Sequence, residues 1–490
     1  MQFVGVDLGT TNIKAAVYDQ DLHLMAWERV PVCYERIGPE VSFDAELYVD
    51  ALLQLLKRLF AQDGVERGKI AEIVFTGQAE SLVVLGGDGK PLMPAISWMD
   101  ERSQEECSAL ARDFPAPEFE CVTGQQAMLP TWPATKILWI RNHRPEVFAA
   151  AATYMLLKDY VVCRLTGVRQ ADRSIATFTG YFDIYTGTYW RRMLQYLQVR
   201  EAQLPVLAEP CTAAGNVTPA AADFLGIPEA TLVNHGTLDH FAGMIGTGNV
   251  TPGTVNLSLG TVMGLAALAG EPATGRNCGI AMHYGFLPEM HVMLPVAESG
   301  GASLEWFRRT CMPDVSYADL NAVLERRERH ARLLFLPYLV GANAPEFDRR
   351  ASGVFWGLRV EHDRYDMAEA VMKGVAFLLR RNCEFMEERG VQINRIIATG
   401  GGAGSDVWCQ MQADITGCPV SRPAEREAAC LGAAIVGAVD RGIYSSFLEA
   451  ASHAVRFERH FQPRVRAEYE TDYRKYCTLY RAAVELADTT

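Results

Sequence analysis

The sequence predicts an α/β protein of two similar domains facing each other across a central cleft, and three observations carry that expectation. A chain of 490 residues exceeds what one hydrophobic core usually organises, so two domains of roughly 200 to 250 residues are expected. A glycine-threonine hairpin near the start recurs about half a chain later. Near the C-terminal end a strand, a glycine-rich loop and a helix follow one another.

The first hairpin runs from Phe3 to Asp19: an apolar run through Val6, a turn at Gly9-Thr10-Thr11-Asn12, and an outgoing run from Ile13 to Tyr18. The second copy is Val255-Asn256-Leu257-Ser258-Leu259-Gly260-Thr261-Val262, and Gly260 follows Gly9 by 251 residues. A single turn of this kind could be plain punctuation between strands; two copies half a chain apart argue for duplicated domains, expected over 1–248 and 249–490. Asp7 in the first copy is replaced by Ser258 in the second, so only one hairpin offers a carboxylate.

Further along, Asp366 with Glu369 reads as a capping box opening a helix whose apolar residues include Val371, Val375, Leu378, Leu379 and Met386, and Gly390 reads as its stop. Arg395 to Thr399 reads as a strand. The loop Gly400-Gly401-Gly402-Ala403-Gly404 follows, with Ser405 placed to cap a helix to about Thr416. Successive glycines let backbone approach a flat ligand and present amide hydrogens. The spacing is neither the dinucleotide fingerprint nor the Walker loop.

A net charge of -13 argues against a broad nucleic-acid footprint, because such binding depends on clustered Lys and Arg. The twelve Cys include no C-x-x-C pair, so reduced thiols are expected and no zinc site is inferred. The start Met1-Gln2-Phe3-Val4 has no charged n-region, and no apolar run is long enough to span a membrane. A cytoplasmic protein without membrane or nucleic-acid partners is the expectation.

Together these residues resemble the FGGY family of carbohydrate kinases, whose two domains share the ribonuclease-H-like fold of the actin/hexokinase-type ATPases. Asp7-Leu8-Gly9-Thr10-Thr11 is similar to the first phosphate loop, Leu259-Gly260-Thr261 to the second, and Gly400 to Ala403 with Gln410 and Asp414 to the adenosine segment. Lys136 to Asn142 is similar to a family signature, from whose usual opening residue Thr131 departs. Phe335-Leu336-Pro337-Tyr338 and Gly353 to Leu358 resemble the xylulokinase branch.

The resemblance implies ATP and Mg2+ as the phosphoryl-donor pair and a small sugar or polyol as acceptor, most closely a ketopentose such as xylulose. It implies that Gly9, Thr10, Thr11, Gly260 and Thr261 hold phosphates, that Lys14 adds a point charge or simply faces solvent, and that Asp7 holds Mg2+. Gly401, Gly402 and Asp406 are implied for adenosine, and Trp408 is expected to pack its helix. Asp239, before the helix-like Phe241 to Gly246, is implied as general base; an ordinary helix N-cap is the competing reading. Gln78, Ala79, Glu80, Asp100, Asp239 and His240 are implied for the acceptor, with Glu80 and His240 replacing the residues usual in xylulokinases. His235 and His240 read equally well as hydrogen-bonded turn residues.

Ketopentose and polyol acceptors, glycerol among them, both remain open on this pattern, and a homodimer is common in the family. A different class, an actin- or Hsp70-like nucleotide switch, shares the hairpins but would not need the Gln78-Ala79-Glu80 loop, the Trp98-x-Asp100-x-Arg102 element or Asp239. A sugar sensor without turnover is disfavoured because Asp7, Thr10, Thr261 and Asp239 are all present.

Overall fold

In the computed structural model, residues 1–271, 275–276, 278–327, 332–425 and 427–487 are described. Two sheets organise the chain. The first has six strands in the order Ala213–Asn216, Leu232–Asn234, Ile70–Gly77, Gln2–Leu8, Asn12–Asp19, Leu24–Pro31. Gln2–Leu8 pairs antiparallel with Asn12–Asp19 and parallel with Ile70–Gly77. The second sheet repeats this core: Gly253–Leu259 pairs antiparallel with Met263–Ala269 and parallel with Ile393–Thr399. The duplicated hairpins of the sequence are therefore the equivalent central hairpins of two similar sheets.

The strand Gln2–Leu8 is apolar almost throughout because both faces of its sheet are covered. Val4, Val6 and Leu8 point into a core with Val49, Leu52, Leu55 and Leu56. Those residues recur at helical spacing on Ala45–Leu59, which Asp44 caps by accepting from the amides of Glu46 and Leu47. On the other face Phe3 and Val74 share a core with Leu431, Ala434 and Ile435 of the helix Ala428–Asp440.

That helix comes from the far end of the chain yet lies on the first sheet. A Cβ on Gly5 would stand 2.1 Å from the carbonyl oxygen of Cys430, so only glycine permits the approach. The helix Asp239–Gly246 makes the reciprocal crossing: its Met244 and Ile245 share a core with Ala266 and Leu268 of the second sheet. The two helices touch backbone to backbone through Gly246 and Gly432.

Near the glycine loop the strand, loop and helix are Ile393–Thr399, a 3-10 turn at Gly401–Gly404 and Asp406–Thr416, with Ser405 accepting from the amide of Trp408. The capping box lies one turn earlier than Asp366 with Glu369: Asp363 is the N-cap of Arg364–Glu387, and Asp366 answers it from the third position. Glu369 sits inside the helix, mostly buried, because the aspartate pair reaches both end amides first. Among the described residues no helix is long and apolar enough to cross a membrane, and all twelve cysteines are free.

Candidate active site

A cavity of about 890 Å³ lies between the two sheets, bordered by the strands of both hairpins but not by the turn residues Gly9, Thr10, Thr11, Gly260 and Thr261 or by Asp239. Asp7 and Lys14 line it from the first sheet, and Ser258, Gly400, Ala403, Gly404 and Arg422 line it from the second. Its size suits a drug-sized ligand such as a nucleotide. His240, Gly243 and Thr247, on or just beyond the helix Asp239–Gly246, and Glu427 at the head of the opposing helix close its inner end.

Asp7 is half-buried, and its Oδ1, which is itself buried, has no hydrogen-bond partner. Burial, with the neighbouring Asp239 carboxylate adding to it and Lys14 opposing, pushes the Asp7 carboxyl up to about 7. An orphaned oxygen facing a second carboxylate is what a divalent cation would relieve, so the donor set fits Mg2+. Lys14 has an ionic partner. Its ammonium lies 2.6 Å from Glu427 Oε2, so it neither stands free nor simply faces water. Burial depresses the Lys14 ammonium, but the bond and charge of Glu427 outweigh that and hold its pKa above the usual value.

The phosphate turns are shaped for close approach. A Cβ on Gly9 would stand 2.6 Å from the carbonyl oxygen of Asn12, and one on Gly402 would stand 2.4 Å from Leu259 Cδ2. Gly400 takes φ +81°, which an L side chain resists. Gly260 and Thr261 accept from the amides of Gly301 and Ala302 through their carbonyls, leaving the Thr261 side chain exposed. Thr11 is exposed, and Gly401 has open space where a Cβ would be. Thr10 Oγ1 accepts from the indole Nε1 of Trp98 at 2.9 Å, an anchor the sequence did not reveal.

Asp239 is not an N-cap. It is the first residue of its helix, Leu238 holds the cap position without a side-chain bond, and the carboxylate caps no later amide, accepting only from the next one, that of His240. Its side chain is 36% exposed. His240 is exposed, with Nδ1 3.7 Å from Asp239. Leu238 bridges Gly77 in parallel register, so the acceptor loop 78–80 and Asp239 leave adjacent strands at the same end.

In that loop Gln78 is buried, its amide spanning Tyr34 Oη at 3.3 Å and the Gly9 carbonyl at 3.4 Å while Oε1 accepts from Ser81. Ala79 is half-buried. Glu80 adopts φ +65°, an uncommon conformation for glutamate that marks strain. Its carbonyl and that of Ser97 accept from Lys136 Nζ at 2.9 and 2.8 Å. Lys136 is fully buried; desolvation lowers its ammonium and raises the Glu80 carboxyl, each partly countered by the other.

Asp100 is fully buried, and its oxygens are occupied by the amides of Val41 and Arg102 and the Arg102 guanidinium. Trp98, 38% exposed, is the residue of that element left facing outward. Asp406 is committed to Arg422 at 2.8 Å and to Arg459, so Arg422, not Asp406, reaches the cavity. Gln410 and Asp414 bond each other and the segment near Gln462 and Arg464, on the helix face turned from the glycines. Trp408 packs its helix as expected, 2% exposed and donating to the Met372 carbonyl. His235 is a buried turn residue, its pKa lowered to about 4 by burial.

Residues 2–246 match the model of the FGGY family of carbohydrate kinases, N-terminal domain, and residues 255–440 match that of the C-terminal domain. The chain belongs to the FGGY family of carbohydrate kinases. It is 30% identical to the xylulose kinase of Escherichia coli K12 over 85% of each chain, and 29% identical to that of Bacillus subtilis over 99% of this chain and 97% of the relative. The gluconokinase of Bacillus subtilis is 28% identical over 91% of this chain and 88% of its own. The solved xylulose kinase of Rhodospirillum rubrum superposes with a TM-score of 0.91 at 26% identity, each chain covered completely. The expected two-domain ribonuclease-H-like architecture and the phosphotransferase activity on sugars therefore hold for this kinase.

Proposed function

We propose that this kinase transfers the γ-phosphoryl group of ATP to a hydroxyl of a small neutral ketose, a ketopentose such as xylulose. The observation that carries the reading is a pair of electrostatically coupled carboxylates: Asp7, half-buried with an orphaned oxygen, and Asp239, partly exposed at a helix N-terminus. One suits a cation, the other a proton acceptor.

Phosphoryl transfer proceeds through a loose transition state, so the protein chiefly positions groups and neutralises charge. Backbone amides and hydroxyls at Gly9, Thr10, Thr11, Gly260 and Thr261 supply donors for phosphate oxygens, and the Gly400–Gly404 turn receives adenosine. Asp7 would hold Mg2+, which would supply neutralisation of phosphate charge. Asp239 takes the acceptor proton late, and the loop at Gln78 to Glu80 with Trp98 fixes the acceptor hydroxyls. Approach of the two sheets excludes water, the competing acceptor. Twelve free thiols and the need for ATP support a cytoplasmic setting, and a homodimer is the assembly the family resemblance supports.

Glu80 favours a second reading, a polyol acceptor such as glycerol, because a carboxylate in the loop can accept from two neighbouring hydroxyls. A coupled ADP-release screen of pentuloses, hexuloses, gluconate, glycerol and larger polyols decides between them. Stimulation by a ketopentose above all others is expected. ADP release that no acceptor stimulates would replace the kinase reading with a nucleotide switch. Asp239→Asn should abolish acceptor-dependent turnover while nucleotide binding persists, and near-normal turnover would remove Asp239 from the mechanism.

A further inference from the structure

Behind the site lies a buried ionic cluster that none of the steps above uses. Lys158 is fully buried, and its ammonium donates to Asp172 Oδ2 and, at 2.6 Å, to the carbonyl oxygen of His235. Asp172 is equally buried, and its other oxygen accepts from the amide and hydroxyl of Ser174. The Ser174 hydroxyl then meets Thr237 Oγ1 at 2.8 Å and accepts from the amide of Leu238 at 3.3 Å. Burying an ion pair gains little net stability against packed apolar side chains. Its occurrence here calls for another explanation.

Two arms of the cluster reach the turn 235–238, whose next residue is Asp239: Lys158 through the His235 carbonyl, and Ser174 through Thr237 and Leu238; Asp172 also caps the helix Arg173–Ala176 by accepting from the amide of Ile175. From the opposite side Thr76 Oγ1 donates to the Thr237 carbonyl at 2.8 Å, and Thr76 is the register partner of Asp7. Gly236 takes φ +55°, with the Phe75 carbonyl only 2.1 Å from where its Cβ would be. The turn is thus held at each of its four residues, one face by the ion pair and Ser174 and the other by the strand that neighbours Asp7.

Resting on the kinase reading above, we propose that Lys158, Asp172 and Ser174 are positioning residues that fix the Asp239 carboxylate relative to Asp7 and the acceptor. Their effect is on the placement of the base and not on nucleotide or acceptor binding. Loss of one link therefore lowers kcat while leaving both KM values in place.

The test uses substitutions that leave the buried charges paired. Ser174→Ala and Thr237→Val each remove the hydroxyl bridge, whereas Thr237→Ser keeps it. In the full-length kinase, with the best acceptor from the screen, the first two should lower kcat about tenfold, short of the roughly hundredfold cost of a 1 Å displacement. Both KM values should stay within about threefold, and Thr237→Ser should stay within about twofold of wild type. Equal kcat in Ser174→Ala, or equal damage from Thr237→Ser and Thr237→Val, overturns the proposal. Amide exchange supplies a readout independent of turnover: Thr237 and Leu238 should exchange about tenfold faster in Ser174→Ala. Unchanged exchange rejects the clamp, whereas a wild-type protein that turns over no acceptor rejects the kinase reading instead.

Discussion

Gly432→Ala is a single-methyl change that should disable the enzyme from a position without a polar atom. A Cβ there would lie 1.9 Å from the carbonyl oxygen of Ala242 and 2.9 Å from the amide nitrogen of Gly246. Both neighbours are helix backbone, which no rotamer change can move. To reach an ordinary contact of about 3.5 Å the helices Asp239–Gly246 and Ala428–Asp440 must part by roughly 1.5 Å. Asp239 heads one of these helices and Glu427, the partner of Lys14, caps the other. Overpacking of this kind costs about 1 to 3 kcal/mol, so the variant should fold with a lowered Tm. Displacing the base by that distance should reduce kcat about 100-fold or more. Melting curves and the coupled ADP assay measure the two effects together. Wild-type kcat in a variant whose Tm has fallen would show that the crossing supports the fold without setting the site.

Other expectations follow from the same geometry. Because the Asp7 carboxyl sits near 7, binding of Mg-ATP should expel part of a proton and tighten as pH rises from 6 to 8; calorimetry in buffers of different ionisation enthalpy reads this, and equal proton release by Asp7→Asn would assign it elsewhere. Glu72 is pushed up to about 8 by burial and the nearby Asp440, against an Asn234 hydrogen bond that lowers it. The folded state keeps a proton that the unfolded chain loses above about 4.5, so this group's contribution declines between pH 4.5 and 8. Glu72→Gln should therefore gain stability relative to wild type in urea melts at pH 8 compared with pH 5.5, and parallel pH profiles would refute the assignment. Trp98→Phe retains the ring but removes the bond to Thr10 Oγ1, and should lower kcat/KM for ATP about fivefold, equivalent to ~1 kcal/mol; unchanged kinetics would mean Thr10 holds its position without the indole.

What was legible in the sequence was local. The hairpins at Gly9 and Gly260, the Ser405 cap and the Gly400–Gly404 turn are each set by residues within a few positions of one another, since turns and caps are specified by backbone sterics and short-range hydrogen bonds. The same locality, joined to the family resemblance, located Asp7 and Asp239. The capping box at Asp363 was displaced by one turn because Asp363, Asp366 and Glu369 all satisfy the same short pattern and only the observed bonds choose among them.

Tertiary structure alone decided which polar groups are free to act. Nothing near Lys14 announces Glu427, 413 positions away, and nothing near Asp406 announces Arg459, 53 positions away; the pairing of Asp100 with Arg102, two residues on, is by contrast local. Lys136 is in the sequence only the first residue of a stretch similar to a family signature, and folding places it under the carbonyls of Glu80 and Ser97. The sequence by itself determined that two glycine-threonine turns and two unlike carboxylates exist. The fold determined that crossing glycine helices bring them to one cleft, because contacts between distant segments depend on how whole elements pack, and no short-range pattern encodes that.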